Sequence, residues 1–202
     1  MGPIRREQIC RAAVGVIARE GYSGTTMRMV ADAAGASTGM LNHYFANRGE
    51  LLTQSLVYIS ERSLIRYAAA IEGIDPGPER IAALLDSVLA EDPESVETWR
   101  VWIDVHGEAV RTPALRHTIQ ERLVRWFELI DVALEGLVEP RPDGEIPWAV
   151  CIDSVLTGFV IQAMTSEAEL DAGQIRDEVI RMVLTGADAR RPFPPWVRAA
   201  GD

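Results

Sequence analysis

The sequence predicts an all-α fold in two parts with an irregular tail. Apolar residues recur at three- and four-residue spacing along nearly the whole chain, and no strand-type alternation is sustained anywhere. Residues 25–52, TTMRMVADAAGASTGMLNHYFANRGELL, divide into two short helices about a three-residue turn.

Each element follows from a local signal. Residues 4–20 place Ile9, Ala12, Ala13, Val16 and Ile17 at helical recurrence and stop at Gly21. Thr25 or Thr26 can cap the next helix, which runs through MRMVADAA to Gly35. Ser37 caps a third helix through Phe45, so Gly35, Ala36 and Ser37 form the turn of a helix-turn-helix. A long helix runs from Arg48 to about Glu72 and ends before GIDPGP. Further helices are expected near 78–91, 94–110, 113–138, 145–167 and 172–186, separated by EDPES, RTP, EPRPDGEIP and ELDAG. The resulting division is 1–47 for the helix-turn-helix domain, 48–187 for a helical bundle and 188–202 for the tail. No internal repeat or low-complexity tract interrupts it.

Composition narrows the class. At 202 residues, 48% hydrophobic and 25% charged, the chain can bury one or two real cores and reads as an ordinary globular protein. No apolar run approaches the roughly 18 residues of a membrane span, and the N-terminus lacks a secretory pattern, so a cytoplasmic protein with no membrane partner is expected. Cys10 and Cys151 lie in separate helical patterns without clustered histidine, which argues against a metal site and a disulfide framework. No cofactor is indicated.

Helical spacing assigns faces to the third helix. Leu41 and Phe45 share one side and can close onto Val30 and Ala34, while Thr38 with Asn42 and Gly39 with His43 make a small, polar side. Gly39 costs a helix roughly 1 kcal/mol, yet its missing side chain lets a base edge or phosphate come close. Met40 and Tyr44 lie between the faces, and the Arg48 guanidinium can reach a phosphate oxygen.

These residues together resemble the DNA-binding domain of TetR-type regulators, and GASTGMLNHYF is most similar to the BetI-like subgroup. The resemblance covers Thr25–Thr26, Ala33–Ala34–Gly35, Ser37, Gly39, His43–Tyr44–Phe45, Arg48 and Leu51–Leu52. It implies that Thr38, Gly39, Asn42, His43 and Tyr44 touch bases and phosphates, with Ser37 in the same run. It further implies that Thr26, Arg28 and Arg48 contact the DNA backbone or flanking bases. Asn42 stands where the family commonly has an aromatic residue, so the operator preference does not carry over. Asparagine can bond adenine bidentately.

The net charge of −10 looks unsuited to DNA until it is divided along the chain. Residues 1–50 hold six arginines against four acids, a balance of +2, and the remainder carries −12. Screening beyond about 8–10 Å keeps phosphate attraction local, and an acidic distal body can limit nonspecific binding. A competing motif overlaps the same region. Gly35-Ala36-Ser37-Thr38-Gly39 satisfies the nucleophile-elbow pattern, with His106 or His117 as a base, but an elbow follows a buried strand and here the preceding residues have helical spacing.

The segment TWRVWIDVHGEAVRTPALRHTIQERLVRWFELIDVAL also resembles the BetI-type C-terminal domain, which implies a ligand cavity and a dimer interface. Trp99, Trp102, Ile103 and His106 form one stripe, followed by Leu123, Trp126, Phe127 and Ile130 on the next helix. Trp99, Trp102, His106 and Trp126 are the candidate ligand residues, although aromatic stripes at this spacing are more often ordinary core. Asp104 and Glu108, four apart, could suit a cation near the tryptophans. The helix 148–164 is apolar on most of its circumference, so burial on several sides is expected, with Val155, Phe159 and Gln162 facing a second copy. The expected function is a non-enzymatic, ligand-responsive repressor, a homodimer that binds a near-palindromic double-stranded operator and leaves it when a small-molecule effector binds. The alternative is an α-helical small-molecule-binding protein or enzyme without specific DNA binding.

Overall fold

A computed structural model of the protein describes residues 2–139, 141–166 and 170–185. Among them the secondary structure is entirely helical: α1 (Gly2–Gly24), α2 (Met27–Ala33), α3 (Thr38–Tyr44), α4 (Arg48–Ile71), α5 (Pro78–Val88), α6 (Pro93–Ala109), α7 (Pro113–Leu134), α8 (Trp148–Thr165) and α9 (Ala172–Thr185). The expected tail, 188–202, lies outside the described residues.

The N-terminal boundaries fall on the residues whose chemistry calls for them. α1 breaks at Gly21, where φ of 77° and ψ of 162° belong to a region that only glycine enters readily. The Thr25 hydroxyl, fully buried, donates to the Gly21 carbonyl at 2.7 Å. Thr26 caps α2 by accepting from Met29 N–H at 3.3 Å, and Ser37 caps α3 by accepting from Met40 N–H at 3.1 Å. Gly35, with φ of 57°, supplies the turn between them. Asn47 caps α4 through Glu50 N–H at 2.9 Å.

Later helices are shorter than the apolar pattern suggests. α5 stops at Val88 rather than 91, and α7 stops at Leu134 rather than 138, with Gly136 at φ 74° just beyond. α8 begins at Trp148 rather than 145, because Ile146 precedes a proline and is steered away from helical backbone.

Three cores hold these helices together. In the first, Ile9, Ala13 and Val16 of α1 meet Val30, Leu41, Phe45 and Leu51. In the second, the other side of α1, with Val14 and Ile17, packs on Leu52 and Leu56 of α4, Val101 and Val105 of α6, and Ile119 of α7. The third belongs to the C-terminal body and joins Tyr67, Leu84, Leu85, Ile130, Ile152, Leu156 and Val179. α1 is therefore more than the packing helix of the motif: it is buried between the helix-turn-helix and α6.

The segment from Gly21 to Thr25, set off from the body of α1 by the break at Gly21 and so the turn after α1, is held from two sides. The Arg48 guanidinium donates to the carbonyl oxygens of Thr25 at 2.5 Å, Ser23 at 3.1 Å and Tyr22, and lies 5.6 Å from the Tyr22 ring centroid. From α6, Asp104 Oδ2 accepts from Tyr22 N–H at 2.6 Å. A Cβ on Gly21 would stand 3.3 Å from Asp104 Oδ1. Gly21→Ala combines that close approach with a strained backbone, so urea denaturation should show a loss of about 1–3 kcal/mol. An unchanged midpoint and slope would mean that the turn relaxes without cost.

Candidate functional site

α3 presents two unlike faces. Leu41 is buried in the first core together with Phe45, while Thr38, Gly39, Met40, Asn42 and His43 are exposed. Tyr44 is half-buried and meets His43 edge-on, with ring centroids 5.3 Å apart. A Cβ on Gly39 would find only Ser37 Oγ, at an ordinary 3.8 Å. Among the described residues nothing in the packing requires glycine there, so the small surface it leaves faces outward.

Thr26, Ser37 and Arg48, expected at the DNA surface, all have work inside the chain. The first two are helix caps. Arg48 was expected to reach a phosphate, yet its guanidinium is bound to the carbonyls of Tyr22, Ser23 and Thr25, because that turn exposes three acceptors within its reach. The other basic residues divide in the same way. Arg5 donates to the carbonyls of Ala34 and Gly35, both at 3.3 Å, and Arg6 pairs with Glu50 at 3.3 Å beside the Phe45 ring. Arg11, Arg19 and Arg28 are exposed, and Arg28 has only a loose 3.9 Å pairing with Asp32, weak enough to exchange for phosphate.

The hydrolase pattern finds no matching context. Ser37 follows helix α2 and spends its oxygen on a cap. His117 pairs with Glu121 at 3.5 Å, and His106 belongs to a separate cavity.

That cavity, about 80 Å³, lies among α4, α6, α7 and α8. Trp99, Trp102, His106 and Trp126 all line it, together with Tyr67, Arg122 and Asp153. Trp99 Nε1–H donates to the Val88 carbonyl at 3.1 Å, and Trp126 Nε1–H donates to Asp153 Oδ1 at 2.7 Å, so both rings are fixed at one edge. Tyr67 and Trp126 are 5.5 Å apart between centroids, and Trp102 and His106 6.0 Å. Burial pushes the Asp153 carboxyl above its ordinary range, against the opposing pull of the Trp126 hydrogen bond and of His106.

Asp104 and Glu108 do not line this space. Asp104 holds Tyr22, and Glu108 accepts from Thr112 at 2.9 Å and Arg111 at 3.0 Å, because both lie on the side of α6 turned from the tryptophans. The cavity acid is Asp153, which helical spacing does not single out although it is the lone charge within the apolar helix 148–164.

α8 buries only Ala149, Ile152, Leu156 and Val160 within the chain. Val155 and Phe159 are half-buried against the body core, and Gln162 is exposed. Among the described residues, burial of α8 on several sides is thus not reached. By length and composition α8 is apolar enough to cross a membrane, but one of its faces is core and its Asp153 is bonded to Trp126.

Comparison with known proteins accounts for both parts. Residues 9–54 match the family of bacterial regulatory proteins of the tetR type, and residues 78–187 match the C-terminal domain of BetI-type transcriptional repressors. The HTH-type transcriptional regulator BetI of Rhizobium meliloti (strain 1021) is 25% identical over 197 residues, covering 96% of this chain and 97% of that protein. The HTH-type transcriptional regulator CymR of Pseudomonas putida is 32% identical over 165 residues, covering 74% of this chain and 80% of that one. The crystal structure of a transcriptional regulator from Rhodococcus sp. Rha1 superposes with a TM-score of 0.76 at 24% identity, covering 92% of this chain and 99% of that one. The chain belongs to the TetR family of ligand-responsive, DNA-binding transcriptional regulators, with a C-terminal domain of the BetI-type repressors.

The raised Asp153 carboxyl makes a testable demand on stability. Its folded value lies above 3.8, so the folded chain keeps a proton over a range in which the unfolded chain has lost it. The associated stability is full below the ordinary value and is lost as pH rises through the folded one. Asp153→Asn retains an acceptor for Trp126 and is neutral throughout. Paired urea melts should therefore show its stability relative to the wild type increasing as pH rises from the ordinary carboxylate value toward neutrality. A pH-independent difference would mean that Asp153 ionises as freely as a surface residue.

Proposed function

We propose that the protein represses transcription in the cytoplasm as a two-fold dimer, reading a near-palindromic operator with α3 and leaving it when a small molecule fills the tryptophan-lined cavity. One observation carries this reading: α4 and α6 both line the cavity and both hold the turn after α1. Tyr67 and Trp99, Trp102 and His106 are their cavity side chains, and Arg48 and Asp104 are their holds on the turn. A ligand that moves α6 relative to α4 shifts α1, and with it the α2–α3 pair packed on α1. Coupling is reciprocal, so operator DNA weakens effector binding by the same factor.

Thr38, Gly39, Asn42 and His43 form the reading face in this proposal, flanked by Tyr44 and Arg28. Their exposure and the family membership support the assignment. α8 and α9 of two chains form a four-helix interface through Val155, Phe159 and Gln162, covering apolar surface that includes Met164, 39% exposed, and Leu184, 51% exposed. The two copies of α3 then face half-sites about one helical turn apart.

Operator sequences selected from random duplexes by the wild-type protein provide the probe. Asn42→Ala and His43→Ala should each relax base preference by about 1–3 kcal/mol per contact while leaving the circular dichroism spectrum unchanged. Unaltered affinity and preference in both variants would move the reading face elsewhere.

Phe159→Glu places a charge in the proposed dimer contact and should give a helical monomer by sedimentation, with operator affinity lower by orders of magnitude. A folded Phe159→Glu dimer with normal operator binding would displace the interface from this stripe.

A further inference from the structure

Arg122 stands apart among the arginines. Two described arginines, Arg66 and Arg122, bury an Nε–H that has no acceptor among the described residues. Arg66 spends the rest of its guanidinium on Ser95 Oγ at 2.8 Å and Asp92 at 3.6 Å, whereas Arg122 has no oxygen partner among those residues. Arg122 lines the tryptophan cavity, and its Nε–H is buried with no acceptor among the described residues. Folded proteins pair buried donors with few exceptions, and a guanidinium edge is among the most demanding of them.

Its neighbours limit what the missing acceptor can be. Trp126 follows Arg122 by four residues on α7, so the cation and an indole ring share one helix face toward the cavity. Asp153 lines the same space but does not pair with Arg122; one of its oxygens is held by Trp126, and burial opposes its charge. The chain contains no lysine, and among the described residues Arg122 is the one permanent cation on the wall. Three tryptophan rings and a single guanidinium on the wall suit a ligand with an apolar body and one negative charge better than a doubly charged phosphate ester.

We propose that the effector is a small organic monoanion, its carboxylate paired with Arg122 and its apolar body lying among Trp99, Trp102 and Trp126. A planar carboxylate matches the fork of a guanidinium, and one charge matches one arginine. The proposal rests on the cavity being the effector site.

Three probes of matched size separate the charge types: phenylacetate, phenylacetamide and phenethylammonium, titrated calorimetrically into the full chain. Phenylacetate should bind at least about tenfold tighter than the other two, the difference that one charge-assisted hydrogen bond produces. Arg122→Gln, checked for folding by circular dichroism, should abolish that preference. Should Arg122→Gln unfold, the ranking in the wild type still decides. Absent phenylacetate binding, equal binding of the amide, or a preference for the ammonium overturns the anion site. Phenylacetate that binds through Arg122 but leaves operator affinity unchanged overturns the effector reading instead and keeps the anion site.

Discussion

The five-residue turn from Gly21 to Thr25 is the constraint on which the rest of the molecule depends. It ends the helix that buries the motif, begins the motif, and is gripped by Arg48 from α4 and by Asp104 from α6. Each grip is a charge-assisted hydrogen bond to backbone, shorter and stronger than a bond between neutral groups. Because α1 is also buried on both sides, the helix-turn-helix cannot move as a bead on a string. A displacement of α6 reaches α3 through packed helices and two polar clamps.

That arrangement changes how ligand control is understood. A tilt of α4 alone would be the simplest lever, since α4 joins the two parts of the chain. The structure adds α6, whose packing on α1 is the most extensive between any two described helices. Trp99, Trp102 and His106 stand on one side of α6 and Asp104 on another. Rotation of α6 by a ligand would therefore alter the Asp104 bond directly, without bending α4.

The helical fold, the turn at Gly35 and the caps at Thr26 and Ser37 were legible in the sequence because each depends on nearest neighbours. The split of α3 into a buried Leu41–Phe45 side and an exposed polar side was legible for the same reason. Trp99, Trp102 and His106, which repeat along one helix face, and Trp126 on the next helix line one cavity, although their spacing alone fits ordinary core equally well. Arg122 and Asp153 were not legible, because helical periodicity sorts apolar from polar positions and says nothing about which distant polar groups converge. Asp153 did leave a trace as a charge inside an apolar helix, a placement that costs free energy unless something answers it.

Arg48 shows the limit most clearly. A basic residue at the start of a helix next to a DNA-binding motif can donate to a phosphate or to a carbonyl, and both are oxygen acceptors for the same fork. Sequence position alone cannot rank them. In the folded chain the turn after α1 offers the carbonyls of Tyr22, Ser23 and Thr25 within one guanidinium's span, and Arg48 takes them. With Arg5 and Arg6 also tied inside the chain, half of the arginines in the first fifty residues serve the fold rather than the field around it. The positive balance of that segment thus overstates its pull on DNA. With α3 as the proposed reading helix, its specific contacts would carry a larger share of operator recognition than charge alone suggests.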